Sequence, residues 1–388
     1  MTTFDDYKNL EYTYLKNANE YWDDDYINFI LSYPIDTWNW NTLTCNPNIT
    51  IDMVISHPEL HWNWGSLSEN PNITLDMVLE LNAKILSHQE LPWNWEYLIR
   101  HPNITLDMIL SHPELPWNYA YLSYNPNITF DMVLAHPELP WNWIALSKYL
   151  NITIDNLLST PDLPWDWMYL SEHKNITFEM ILSHPELPWI LEYLSKNPNI
   201  TIDNVLSHPE LHWDWDDLSE NPNITIDIVL SHPNLDWNLN ILITNENITF
   251  DMVISHPELP WDFRYLPYNA NITIDNILSH PELDWNWRIL SIDENITFDM
   301  VLSHPELHWD WWYLSINTNI TMDIIKSHPE SPWDFGALGG NKMKKGKEKY
   351  IKNKVYQFKL IDQFKLISDK NKLFLNVIEN IIIKYIVN

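Results

Sequence analysis

The chain has 388 residues and a formal net charge of −31, with 23 tryptophans but only 5 glycines and a single cysteine. So few glycines leave no glycine-rich phosphate loop, and a lone cysteine excludes a multi-cysteine metal or iron–sulfur cluster. Residues 1 to 340 hold 10 Lys and Arg against 49 Asp and Glu, whereas residues 341 to 388 hold 12 against 4. An acidic body argues against binding to nucleic acid or to an anionic membrane, and it favours a basic protein partner.

The first 25 residues are expected to form an N-terminal cap. They contain EYTYL at residues 11 to 15, which resembles the second half of the units that follow, and an acidic run from Asp23 to Asp25. A basic segment followed by an apolar one is missing, so we expect no signal peptide. The most apolar stretch, Leu373 to Val387, is short for a membrane span and is interrupted by polar residues. These features predict an intracellular protein.

Residues 26 to 338 are tandem copies of one 24-residue unit, represented by Thr201 to Ile224 with the sequence TIDNVLSHPELHWDWDDLSENPNI. The copy at residues 74 to 104 is longer, at 31 residues, with the extra residues placed near 80 to 86. Seven residues make about two helical turns. The insertion is therefore expected to lengthen a helix and to leave its buried face in register.

Each unit carries two sets of signals for the start of a helix. Thr201 is the expected N-cap of the first helix, which ends at His208 before a proline, and Asp214 is the expected N-cap of the second, which ends at Asn221. Thirteen tryptophans, from Trp38 to Trp333, occupy the position before the second N-cap and are expected in the core. Helices this short are unstable alone, so the units must stack. The sequence thus predicts an all-α solenoid of about thirteen two-helix repeats.

The phrase Asn-Pro-Asn-Ile-Thr, as in Asn46 to Thr50 and Asn197 to Thr201, resembles the leucine-rich repeat variant family. That resemblance implies alternating α and 3-10 helices in a right-handed superhelix. The family's cysteine-liganded cluster has no counterpart. The wording that combines NPNIT with HPELPWNW is also similar to uncharacterised repeat proteins of giant DNA viruses that infect amoebae. The alternative fold is a conventional leucine-rich repeat solenoid with Leu218 to Asn221 as its strand, which Asp216 disfavours.

The segment from residue 339 to 388 differs from the array in its lysine content and in its two apolar-periodic stretches. Two interpretations stay open. It is either a helical cap that shields the last unit or an interaction tail for an acidic surface.

Several recurring groups could in principle carry chemistry. A histidine such as His208 ends most first helices, where its imidazole is expected to meet the terminal carbonyls rather than a metal. A Ser-His-Asp or Cys-His arrangement does not stand apart from the repeat. We expect no enzyme activity, no metal and no cofactor.

What differs between copies is the natural place for partner selection. The position that varies most from copy to copy directly follows the second tryptophan position of the unit, and its residues are called the first column. The position four residues later also varies, and its residues are called the second column. The candidate partner-binding residues in these columns are Glu96, Met168, Glu192, Asp216, Glu220, Arg264, Arg288 and Trp312. The sequence favours a non-enzymatic scaffold that binds another protein. The alternatives are a structural component of a viral particle and an acidic mimic of nucleic acid that binds a basic protein.

Overall fold

The computed structural model describes residues 4–84, 91–269, 271–283 and 285–370. Within these ranges every regular element is a helix, and the helices recur as the short pairs that the sequence predicts. The all-α solenoid is therefore confirmed. The chain divides into two compact units: Met1–Asn63, Thr297–Ser303 and Trp311–Asn388 in the first, as far as they are described, and Trp64–Ile296 with His304–Asp310 in the second.

The first helices of the repeats begin where threonine was expected to cap them. In most copies the threonine hydroxyl accepts a backbone N–H three residues on, as Thr201 does from Asn204 at 3.4 Å, and in three copies an asparagine side chain also accepts the threonine N–H, as Asn204 does at 2.9 Å. The inserted copy has the longest of these helices, although residues 85–90 of the insertion lie outside the described ranges. The first helices are Ile51–Ser56, Leu75–Lys84, Leu106–Ser111, Phe130–Ala135, Ile154–Ser159, Phe178–Ser183, Ile202–Ser207, Ile226–Ser231, Phe250–Ser255, Ile274–Ser279, Phe298–Ser303 and Met322–Ser327.

The second helices are α-helical in ten copies and 3-10 in three, so the alternation of α and 3-10 helices that the resemblance implies is found in a minority of the copies. Leu218 and Asn221, the proposed strand of the alternative fold, lie in and directly after the helix Trp215–Glu220, which rules that alternative out. The α-helical members are Trp40–Thr44, Trp64–Leu67, Trp95–Leu98, Trp143–Tyr149, Trp167–Ser171, Trp215–Glu220, Leu239–Leu242, Trp287–Ile292, Trp311–Ile316 and Phe335–Leu338. The 3-10 members are Tyr119–Tyr124, Leu191–Lys196 and Leu266–Tyr268, and a further 3-10 turn spans Ile35–Thr37.

The buried core recurs with the 24-residue period of the sequence. In the representative copy Ile200, Val205 and Leu218 are all buried. The Trp213 indole N–H donates to the His208 carbonyl at 3.0 Å, which closes the turn between the two helices. Trp215 meets Trp237 of the next copy edge to face, with ring centroids 5.1 Å apart. Of the thirteen tryptophans from Trp38 to Trp333 that were expected in the core, eight are buried and five, including Trp213, are half-buried.

A polar ladder joins consecutive repeats. Asn197 is fully buried, and its side-chain amide donates to the carbonyls of Ser171 and Ile176 in the preceding copy, each at 2.9 Å. The Ser195 hydroxyl, also buried, accepts the backbone N–H of Asp214 in the following copy at 2.8 Å. Because buried backbone groups are costly when left unpaired, these bonds fix the spacing between repeats.

In the first unit the N-terminal helix Phe4–Leu31 packs against the C-terminal helix Lys344–Lys370. The Tyr14 hydroxyl donates to the Asp362 carboxylate across this contact at 2.6 Å. The N-terminal helix runs through residue 25, so the expected cap and the first helix of the degenerate unit are one continuous element. The second apolar stretch of the C-terminal segment lies outside the described residues. No helix in the described ranges combines the length and the apolarity that crossing a membrane requires.

The first and last repeats, both in the first unit, contact each other as sequence neighbours do elsewhere. The Asn46 side-chain amide donates to the carbonyls of Gly339 and Asn341, each at 2.9 Å. Trp38 meets Phe335 edge to face at 5.4 Å, in the place of a usual tryptophan pair. The first repeat thus packs against the last repeat in the way that the next copy in sequence does elsewhere. The sequence does not predict this contact.

Candidate functional site

The first column of variable residues projects from the second helices. In the second unit the side chains of Glu96, Glu192, Asp216, Arg264 and Arg288 are exposed, whereas Met168 is half-buried. Glu220 of the second column is also exposed. In the first unit Trp312 is 47% exposed, although it is a large apolar residue, and its ring packs on Tyr313. The column therefore offers side chains that vary widely along the array, although the consecutive copies with Arg264 and Arg288 share the same type.

Part of this column is engaged within the protein. The Asn118 amide, which caps the next second helix, donates to the Glu96 carboxylate at 3.2 Å, and the Asn238 amide donates to Asp216 at 2.7 Å. Where the column residue is Arg288, the corresponding N-cap is Asp310, with the Nε and Oδ2 atoms 3.7 Å apart. In these three copies the column residue thus has a partner of suitable charge or polarity at the N-cap of the following copy, and such exposed contacts contribute little stability.

The cations of the second column, Arg100, Lys148 and Lys196, lie over tyrosine rings. The Arg100 guanidinium lies over the rings of Tyr97 and, in the next copy, Tyr121, at 4.9 and 5.3 Å. Lys148, two copies later, lies 5.1 Å from the ring of Tyr169 in the copy that follows it. Such cation–π contacts hold the cationic group in place without neutralising its charge.

A cleft of about 560 Å³ opens beside this column in the second unit. Three lysines lie around it, although the array from residue 26 to 338 contains only eight Lys and Arg. Its lining is formed by Lys148, Tyr149, Leu150, Asn151, Tyr169, Glu172, His173, Lys174, Lys196 and Pro198. This is a local concentration of positive charge on an acidic array.

The cleft coincides with a break in the Asn-Pro-Asn wording. Tyr149-Leu150 and His173-Lys174 stand at a position where nine of the thirteen copies have an asparagine, which proline follows in five of them. Tyr149 is 61% exposed instead of filling the buried asparagine position, while Leu150 is buried. His173 maintains the polar contact with the preceding copy in place of an asparagine, since its Nε2 atom lies 3.1 Å from the Leu150 carbonyl. Lys148 and Lys196 belong to the second column, but the variation of that column did not reveal this break, and the loss of the asparagine in two consecutive copies was the signal that could have done so.

The ionisable groups of the cleft respond to burial. Burial raises the pKa of the Glu172 carboxyl, and the nearby Lys196 and Lys148 ammonium groups oppose that rise. Burial lowers the pKa of His173, and the hydrogen bond to Leu150 opposes that fall. The Asn175 N–H donates to Nδ1 of His173 at 3.2 Å, so the neutral ring carries its proton on Nε2. His173 therefore takes part in the hydrogen bonds between repeats, and the three lysines supply the positive charge of the cleft.

The recurring histidines differ from their expected arrangement. In most copies Nδ1 lies beside a glutamate two residues on, as for His208 and Glu210 at 3.1 Å, so the expected contact with terminal carbonyls is wrong for these copies. The glutamate carboxylate thus takes the place of a helix-terminal carbonyl as the partner of Nδ1. In His232 the partner position is Asn234, and there Nδ1 donates to the Ile228 carbonyl at 3.0 Å. The described residues contain no group of three or more His, Cys, Asp or Glu placed to hold a metal ion.

Comparisons with protein-family models, curated proteins and solved structures gave no match for this chain.

Proposed function

We propose that this chain is a non-enzymatic scaffold that binds another protein through the first column of its second helices. The observation that carries the proposal is the exposure of unlike side chains at one repeated position, from Glu96 to Arg288. Many other recurring polar groups are engaged in hydrogen bonds within a repeat, as the Thr201 cap is, or between repeats, as Asn197 and Ser195 are. Repeat arrays commonly bind partners through such variable positions.

The charge of the chain indicates the chemistry of the partner. Glu192 and Asp216 are the first-column residues of two consecutive copies, and Glu220 is the second-column residue of the same copy as Asp216. A basic protein surface would meet carboxylates here, and it would be attracted over longer distances by the net charge of −31.

A pull-down with charge-reversed variants tests this function. The variant Glu192→Lys with Asp216→Lys should lose the partner that the unmodified chain retains. The matched control reverses two exposed carboxylates outside the column, Asp162→Lys with Glu186→Lys, and it should retain the partner. Equal loss from both variants, with retention abolished by moderate salt, would refute the column as the binding surface and would favour an acidic mimic of nucleic acid.

A further inference from the structure

The basic cleft of the second unit lies apart from the first column and is not explained by stacking. In most other copies the loop after the second helix has a proline where Leu150 and Lys174 stand, and its second column holds residues such as Glu69, Tyr124 or Glu220. In the consecutive copies around Lys148, Lys174 and Lys196, three lysines meet at one opening.

The charge of these lysines is only partly compensated inside the protein. Lys148 lies over the rings of Tyr149 and Tyr169, at 5.3 and 5.1 Å, which leaves its charge intact. Lys196 lies 3.9 Å from Asp217 in a half-exposed pair, and ion pairs of that kind are weak. Glu172 is the one carboxylate among the lining residues, so three ammonium groups face a single carboxylate and positive charge is in excess.

The size and walls of the cleft limit what it can hold. A volume of about 560 Å³ falls in the usual range for small-molecule sites. The exposed ring of Tyr149 and the ring of Tyr169 offer apolar surface beside the ammonium groups. A long polyanion would extend from the cleft over neighbouring carboxylates such as Asp217 and Glu220, whereas a small anion would not.

We infer that this cleft is a binding site for a small organic phosphate of nucleotide size. Its phosphate is held by the lysine ammonium groups, which act as point charges toward phosphate oxygens, and its organic ring packs on the tyrosine walls. This site is independent of the protein-binding column, so either one can fail in a test without the other.

Calorimetric titration of the full chain with three probes tests the inference: a nucleoside monophosphate, its unphosphorylated nucleoside and inorganic phosphate. We expect saturable binding of the nucleotide at one site per chain, weaker binding of phosphate and none of the nucleoside. An absence of saturable nucleotide binding would overturn the site. If inorganic phosphate binds as tightly as the nucleotide, the inference that the ligand is an organic phosphate is wrong.

Three substitutions locate the site. Lys148→Gln with Lys196→Gln should weaken nucleotide binding by at least about tenfold, as loss of charged hydrogen bonds does. Glu172→Gln should strengthen it by about threefold, because a repelling carboxylate is removed. The matched control is Arg100→Gln, which removes a cation from the same column but away from the cleft, and it should leave the affinity unchanged. Equal loss in the control and the lysine variant would refute a specific site, provided that far-UV dichroism shows both to be folded.

Discussion

Replacing Asn46 with alanine should destabilise the contact between the first and last repeats by about 3 kcal/mol. The side chain is 2% exposed, donates to two carbonyls of the last repeat at 2.9 Å each, and accepts the backbone N–H of Asn48 at 2.9 Å. Each such bond contributes about 1 kcal/mol net, and carbonyls left buried without a donor add to the cost.

Asn341→Ala is the matched comparison because this residue makes the same set of bonds to its sequence neighbours. It donates to the carbonyls of Ser315 and Asn317 at 2.9 Å each, and it accepts the N–H of Met343 at 2.8 Å. Urea unfolding followed by circular dichroism should give similar losses for both variants. Hydrogen exchange should rise in residues 40–50 and 336–343 for the Asn46 variant.

The outcome that would refute this reasoning is a normal loss for Asn341→Ala together with a loss below about 0.5 kcal/mol for Asn46→Ala. Water would then already solvate the carbonyls that Asn46 meets, and the first and last repeats would not be in contact in solution.

Three further predictions concern single side chains. Ser219→Ala should cost about 1 to 3 kcal/mol in urea unfolding, since its buried hydroxyl accepts the N–H that begins the next second helix, whereas exposed Ser231→Ala should cost almost nothing. His173→Asn should reduce the loss of stability that the second unit shows as pH falls below about 6.5, because the folded state lowers the pKa of this ring and so resists its protonation. Unchanged acid sensitivity in thermal melts of this variant would contradict that role. Asp23→Asn should gain stability relative to the unmodified chain as pH rises from 4 to 7, because burial raises the pKa of Asp23 to about 6 while Lys347 opposes the rise, so the folded state loses stability as the carboxyl ionises. The other charged groups that act on Asp23 are Asp24, Asp52 and Glu20. A constant difference between the two melting curves across that range would disprove the assignment.

The sequence alone determined the paired helices of the repeats, most of their caps and the apolar core positions. Thr201, Asp214 and the apolar residues around them act within one or two helical turns, so a single copy of the unit contains the information. The exposure of most first-column residues followed equally, because core positions repeat from copy to copy while others vary.

The tertiary structure alone decided how the copies are joined. The Asn197 amide reaches carbonyls 21 to 26 residues earlier, and the Asn46 amide reaches carbonyls more than 290 residues away. Such bonds depend on which backbone groups stacking brings opposite each other, and residue spacing does not reveal them. The cleft around Lys148 arises in the same way: its lysines are ordinary variable residues within each copy, and only the stacking of three copies brings them to one opening.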